Sequence, residues 1–169
     1  MLLETTPRSV YVILGAHQEQ MRPELEGLDV EVVLNDQWRV GLSSSLRVAR
    51  TVCRKLSRSG CLVTSVDQPL LQTAHLQALL AMAKRWPNLD VLSAYGRFKG
   101  IPALIRPETL DLATRLVGDH GLRAVLDGRP WRVVRNDDLL EDLDTPEQVE
   151  MARIRGWIDE TQVMTRIDV

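Results

Sequence analysis

The apolar positions along this chain fall into short β-like runs separated by segments with helical spacing. Residues 9–15 (SVYVILG) are almost continuously apolar, the pattern of a strand covered on both faces, and residues 29–34 (DVEVVL) repeat it more briefly. Between them a short helix or turn ends at Gly27. Leu46, Ala49, Val52, Cys53 and Leu56 recur at helical intervals, predicting an amphipathic helix over 43–56 with serines available to cap its start. Residues 61–66 (CLVTSV) form another buried run, stopped by Asp67-Gln68-Pro69.

Further on, Leu76, Leu79, Leu80 and Ala83 place a helix over 73–86, closed by Pro87. Strands follow at 89–94, 102–106 and 131–135, with helical pieces at 108–116 and 122–126. Residues 139–143 read as extended, and Thr145-Pro146-Glu147-Gln148 opens the last helix with a capping box and a proline in its first turn. Strands alternating with crossover helices predict an α/β fold, a largely parallel sheet with helices on both faces. No repeat, low-complexity segment or linker divides the chain. Residues 1–158 read as one domain and 159–169 as a loosely held tail.

Composition narrows the function classes. The 169 residues can bury roughly 70% of the surface of the unfolded chain, so neither a disulfide nor a structural metal is needed for folding. Cys53 and Cys61 are too few and wrongly spaced for either, and are expected to be buried thiols in a reducing cytoplasm. The 21 Lys and Arg against 23 Asp and Glu give no overall pull toward nucleic acid, and 4% aromatics argue against a stacking platform for single strands. The early apolar run is too short to span a bilayer and no basic leader precedes it, so a cytoplasmic protein without membrane contact is expected.

In open α/β sheets, ligands bind beyond the carboxyl ends of the strands, and four polar clusters fall at such ends. Asp67 follows a central strand; it either caps the turn before Pro69 or holds a divalent cation against phosphate oxygens. Asp142 and Asp144 alternate along an extended stretch and share a face, fit either for a metal or for complementing the dipole of the helix that follows. Gly41 with Ser43, Ser44 and Ser45 leads into a helix N-terminus, a natural anion or nucleotide site, although ordinary capping accounts for one serine. Gly118-Asp119-His120-Gly121-Leu122-Arg123 joins a flexible loop to a basic residue at a helix start. The histidines His17, His75 and His120 lack metal-ligand spacing, and no nucleophile elbow or zinc motif occurs.

The order and spacing of these clusters resemble the MobA-like nucleotidyltransferases, above all the branch that attaches CMP or GMP to the molybdopterin cofactor. Asn35-Asp36-Gln37-Trp38 with Gly41-Leu42-Ser43-Ser44-Ser45-Leu46 is similar to that branch's N-x-x-W...G-M-x-x-S-L segment, and Asp67-Gln68-Pro69-Leu70 to its G-D-Q-P-L. The loop ending in Arg123 is similar to its G-D-x-G-A-R, and Asp142-Leu143-Asp144-Thr145-Pro146-Glu147 to its D-I-D-T-P-E. The resemblance implies a three-layer α/β/α fold with a mostly parallel, Rossmann-like sheet of the nucleotide-diphospho-sugar transferase type. It implies attack by a terminal phosphate of molybdopterin on the α-phosphate of CTP or GTP, with release of pyrophosphate and help from Mg²⁺. Residue by residue, Asp67 and Asp144 become the catalytic Mg²⁺ ligands with Asp142 in support. Gly41, Ser44, Ser45, Gln68 and Pro69 become contacts to nucleotide or acceptor, and Arg123 steadies a phosphate.

The chain departs from the pattern in three places. Val66 stands where glycine is usual before Asp67, and Gly100-Ile101-Pro102 where the branch has Gly-His-Pro. The glycine-rich N-terminal loop and its lysine have no counterpart, because no glycine precedes Gly15 and the lysines are Lys55, Lys84 and Lys99. A first β-loop-α unit of roughly 30 residues or more is therefore expected to be missing. The chain is accordingly expected to bind Mg²⁺·NTP weakly, to turn over poorly, and to self-associate or depend on a partner. A different class of function, a non-catalytic module that delivers cofactor to a molybdoenzyme, draws on the same departures. A metal-dependent glycosyltransferase draws only on Asp142-x-Asp144.

Overall fold

The computed structural model describes residues 1–56, 60–118, 120–126 and 128–158; the Leu56 side chain, Asp119 and the tail 159–169 lie outside the described residues. In chain order the elements are β1 (Tyr11–Leu14), α1 (Gln18–Met21), β2 (Glu31–Leu34), α2 (Leu42–Leu56), β3 (Cys61–Val63), α3 (Thr73–Arg85), β4 (Asp90–Tyr95), β5 (Phe98–Ile105), α4 (Pro107–Leu112), α5 (Arg123–Leu126), β6 (Trp131–Arg135) and α6 (Pro146–Ile154). β1 and β2 form a parallel pair, and the other strands form a sheet in the order β3-β5-β4-β6. Three of those four strands run in one direction; β5 alone is antiparallel to both of its neighbours.

The period of two along each strand sorts side chains between two helical layers. Leu92 of β4, Ala103 and Ile105 of β5, and Cys61 and Val63 of β3 face a core completed by Leu46, Leu110, Val125 and Leu126 from α2, α4 and α5. Val91, Leu104, Leu62 and Val134 face the opposite way, onto Leu76 and Leu79 of α3 and onto Leu139. The sheet is thus covered on both faces, which is why its strands read as nearly unbroken apolar runs. The result is the three-layer α/β/α arrangement. Among the described residues, no helix is long and apolar enough to cross a membrane.

Several local expectations change. β5 is longer than the run 102–106, because Tyr95 and Phe98 pair across a two-residue turn at Gly96-Arg97 and extend the strand into solvent. Gly96 takes a positive φ of 51° there, which favours glycine. The β4–β5 ladder also slips: Leu92 pairs with Ala103 but Ser93 with Gly100, so Ile101 and Pro102 form a bulge. The segment 139–143 is not extended throughout. A 3₁₀ turn spans Asp137–Leu140, capped by the Asn136 side chain accepting from the Asp138 amide, and it points Leu139 into the core. The two cysteines are not separate thiols: α2 brings Cys53 beside the first residue of β3, and Cys53 and Cys61 form a disulfide with Cα atoms 6.3 Å apart. That separation lies within the usual span for a disulfide; the sequence spacing alone hid it because helix and strand meet at their adjoining ends.

Candidate functional site

β3 ends at Val63, and the chain turns through Thr64, Ser65 and the exposed Val66 to reach Asp67. The Ser65 hydroxyl donates to Asp67 Oδ1 and holds the half-buried carboxylate in place. The Asp67 carbonyl accepts the Leu143 amide at 2.9 Å, which draws residues 142–144 alongside. Beyond them the capping box at the start of α6 is complete. Thr145 Oγ1 accepts from the Gln148 amide at 3.3 Å, and Gln148 Oε1 accepts from the amides of Asp144 and Thr145, both at 2.8 Å. The Asp144 backbone is therefore fixed while its side chain, like that of Asp142, stays exposed to solvent.

Gln68, next to Asp67, is buried. Its Nε2 donates to the carbonyls of Ile101 and Leu139, each at 3.4 Å, so it ties the bulge in β5 and the 3₁₀ turn to the Asp67 loop. Pro69 follows, half-buried, and the Gln68 carbonyl closes the turn by accepting from the Leu71 amide. Tyr95, at the end of β4, belongs to the same group. Burial, then the charges of Asp142 and Asp67, push its phenol above the ordinary tyrosine range. One hydroxyl thus senses carboxylates on two segments far apart in the chain.

A second group forms around Asn35, at the end of β2. Asn35 is only 4% exposed; its Nδ2 donates to Ser44 Oγ at 2.8 Å and Ser45 Oγ at 3.0 Å, and its Oδ1 accepts from the Gln37 amide. Ser44 Oγ also donates to the Gly41 carbonyl at 2.8 Å, so both of its hydrogen-bonding roles are taken by the protein. Ser45 is the more accessible of the two and, among the described residues, accepts from Asn35. Gly41 needs its positive φ of 98° to turn the chain into α2. The loop before α5 closes on this helix start: the Ser43 amide donates to the Gly118 carbonyl at 3.1 Å, and Gly121 leaves no room for a Cβ against Leu42 without a shift. Arg123 then stands exposed in the first turn of α5. Asn35, Asp36, Gln37, Ser44, Arg47 and Thr51 line an open cavity of about 380 Å³.

The four sequence clusters thus come together as two pairs, Asp67 with Asp142–Asp144 and Gly41–Ser45 with the Arg123 loop. Among the described residues, no hydrogen bond or ion pair joins Asp67 to Ser43, Ser44 or Ser45. Nor do three His, Cys, Asp or Glu side chains gather into a ready metal cluster among those residues. The available donors are hard carboxylate oxygens, and a Mg²⁺·phosphate site takes only one or two carboxylates from protein, the rest from water and substrate. The donor chemistry therefore suits such an ion. Tyr95 lies outside the sequence motifs, its position at a strand's carboxyl end being its one sequence signal, whereas Asn35 opens the Asn35-Asp36-Gln37-Trp38 motif and only the fold shows that it holds Ser44 and Ser45.

Comparison with known proteins agrees with this architecture. No curated protein matches the chain. Among solved structures, the chain is similar to Rv0371c from Mycobacterium tuberculosis H37Rv, with 25% identity and a TM-score of 0.67 over 85% of this chain and 75% of that one. It is also similar to the manganese complex of Rv0371c, at 24% identity and TM-score 0.67 over 85% and 76%. A third similar fold is molybdopterin-guanine dinucleotide biosynthesis protein A from Archaeoglobus fulgidus, at 13% identity and TM-score 0.62 over 85% and 77%. Residues 1–138 match the family of the MobA-like NTP transferase domain. With that match covering most of the chain, and with the sheet and its covering helices in agreement, the protein belongs to the MobA-like NTP transferases.

Proposed function

We propose that this chain is a nucleotidyltransferase of molybdenum-cofactor biosynthesis that transfers CMP or GMP from CTP or GTP to molybdopterin. The observation that carries the reading is the bond between the Leu143 amide and the Asp67 carbonyl, which sets the acidic segment 142–144 beside Asp67 at the end of β3. The Mn²⁺ complex of Rv0371c and the molybdopterin-guanine dinucleotide protein of similar fold support the choice of metal and acceptor.

In this reading residues 1–158 form the catalytic domain. Asp67 and Asp144 are the ligands of a divalent ion, Mg²⁺ by preference, and Asp142 supports them. When bound, such an ion neutralises phosphate charge during an in-line displacement. The chain's own part is positioning. Asp67 is aimed by Ser65, Asp144 by the capping box, and Gln68 and Pro69 hold the loop to β5. Ser45 and the backbone at Gly41 meet nucleotide or acceptor, Ser44 keeps that turn in shape, and exposed Arg123 steadies a phosphate. An oxygen of the terminal phosphate of the acceptor bonds to the α-phosphorus as the bond to the pyrophosphate breaks. Among the described residues β1 and β3 each have one edge with no partner strand, and such edges invite self-association or a partner, a molybdoenzyme being one.

A second reading, a non-catalytic delivery module, draws on Ile101, whose side chain packs against the core and leaves no polar group at that point of the loop. Titration with Mn²⁺ and either CTP or GTP, followed by pyrophosphate detection with molybdopterin present, tests the proposal. Binding that Asp67→Asn abolishes supports it. Molybdopterin binding with no nucleotide-dependent signal supports the delivery module and overturns the transferase.

A further inference from the structure

Behind the Asp67 loop lies a buried polar chain that no step above uses. His75, in the first turn of α3, is 7% exposed, and its Nε2 lies 2.7 Å from Oγ of the fully buried Ser93. Ser93 Oγ in turn donates to the Pro102 carbonyl at 2.5 Å. A serine hydroxyl has one proton. With that proton on the Pro102 carbonyl, Nε2 of His75 carries a proton and donates it to Ser93 Oγ. The chain ends at the bulge, where Ile101 and Pro102 have lost their ladder partners on β4. Ser93 takes the Pro102 carbonyl, and Gln68 takes that of Ile101.

We propose that His75 and Ser93 are positioning residues that lock the β5 bulge, so that Ile101 receives Gln68 and the adjoining Asp67 carboxylate is held in place. The inference rests on the transferase reading for its consequence, though not for its geometry. Buried polar groups without partners are costly, so this chain has one low-energy arrangement. Removing the donor at His75 leaves the fully buried Ser93 oxygen without its incoming hydrogen bond and takes away the contact that holds Ser93 against the Pro102 carbonyl. The bulge then loosens, and Gln68 loses its fixed acceptor. Burial pushes His75 below the usual histidine range, which favours the neutral ring with its proton on Nε2.

The test compares His75→Phe, Ser93→Ala, His75→Gln and a control, Leu79→Ala, which empties core volume on the same helix. Side-chain amide resonances of Gln68, the backbone amide resonance of Asp67 and Mn²⁺ affinity are measured in each. His75→Phe and Ser93→Ala are expected to shift both sets of resonances and to weaken Mn²⁺ binding about 10-fold, as when an outer-shell partner is lost. His75→Gln, whose amide can donate from a similar place, is expected to restore both. Leu79→Ala is expected to lower thermal stability without either change. If the unaltered protein binds no Mn²⁺, the transferase reading fails and the Gln68 and Asp67 resonances alone decide the relay. Unmoved resonances in His75→Phe and Ser93→Ala, equal shifts in Leu79→Ala, or moved resonances with unchanged Mn²⁺ affinity would overturn the proposal.

Discussion

The Leu143 amide donates to the Asp67 carbonyl at 2.9 Å, joining a loop after β3 to the segment that leads into α6. A backbone bond of this kind depends on no side chain, so it survives substitution of either carboxylate. That separates metal binding from loop placement and makes carboxylate variants informative.

Asp67→Asn keeps the size of the side chain and removes its charge. It is expected to lower nucleotidyl transfer on the order of 100-fold, in line with several kcal/mol of charge stabilisation from a bound metal. Thermal stability is expected to stay close to that of the parent, because Asn can still accept from Ser65. Pyrophosphate release and a melting curve on the same sample check both parts.

Tyr95 reports on the same carboxylates. Because burial, Asp142 and Asp67 raise its pKa, the folded protein keeps the phenolic proton where the unfolded chain has released it. Stability from this source is full below the unfolded value of about 10 and is lost as pH rises above that value through the higher folded pKa. Binding of Mn²⁺ between the carboxylates cancels part of their charge and is expected to lower the pH at which Tyr95 ionises. The chain has two tyrosines, so absorbance at the phenolate band in a Tyr11→Phe background follows Tyr95 alone.

His75 carries the opposite sign. Burial lowers its pKa below the usual value, so in acid the unfolded chain takes up a proton that the folded chain refuses. Its contribution to stability is full above about pH 6.5 and declines as pH falls below that value toward the folded pKa. His75→Gln is expected to flatten the fall in melting temperature between neutral and mildly acidic pH. Parallel melting curves of parent and variant isolate the difference from the carboxylates both share.

Asn35 organises the start of α2 from a buried position. Asn35→Ala removes two donors and one acceptor while leaving the Gln37 amide without its partner. The expected cost is about 2 kcal/mol, or a fall of roughly 4 to 8 °C for a chain of this size. Calorimetry measures it, and a fall in affinity for nucleotide alongside it would tie the turn at Gly41 to ligand binding.

Much of the architecture was legible in the chain itself. Buried strands such as Val91–Ala94, the apolar spacing of Leu76 and Leu79, and the Thr145–Gln148 capping box are set by local chemistry and by two periodicities, so pattern alone exposes them. The motifs at Asp67, Asp142–Asp144, Gly41–Ser45 and Arg123 were visible for a related reason: each sits where a strand or loop runs into a turn. Tertiary structure alone decided how they combine. Whether Ser44 is free or consumed depends on Asn35, nine residues away on another element. That Cys53 meets Cys61, that Tyr95 senses Asp67, and that His75 reaches the bulge through Ser93 depend on helix and strand positions that no local pattern encodes. Composition and periodicity report which face of an element is buried; only packing reports which buried polar atom finds which partner, because those bonds join residues whose separation in sequence carries no signal.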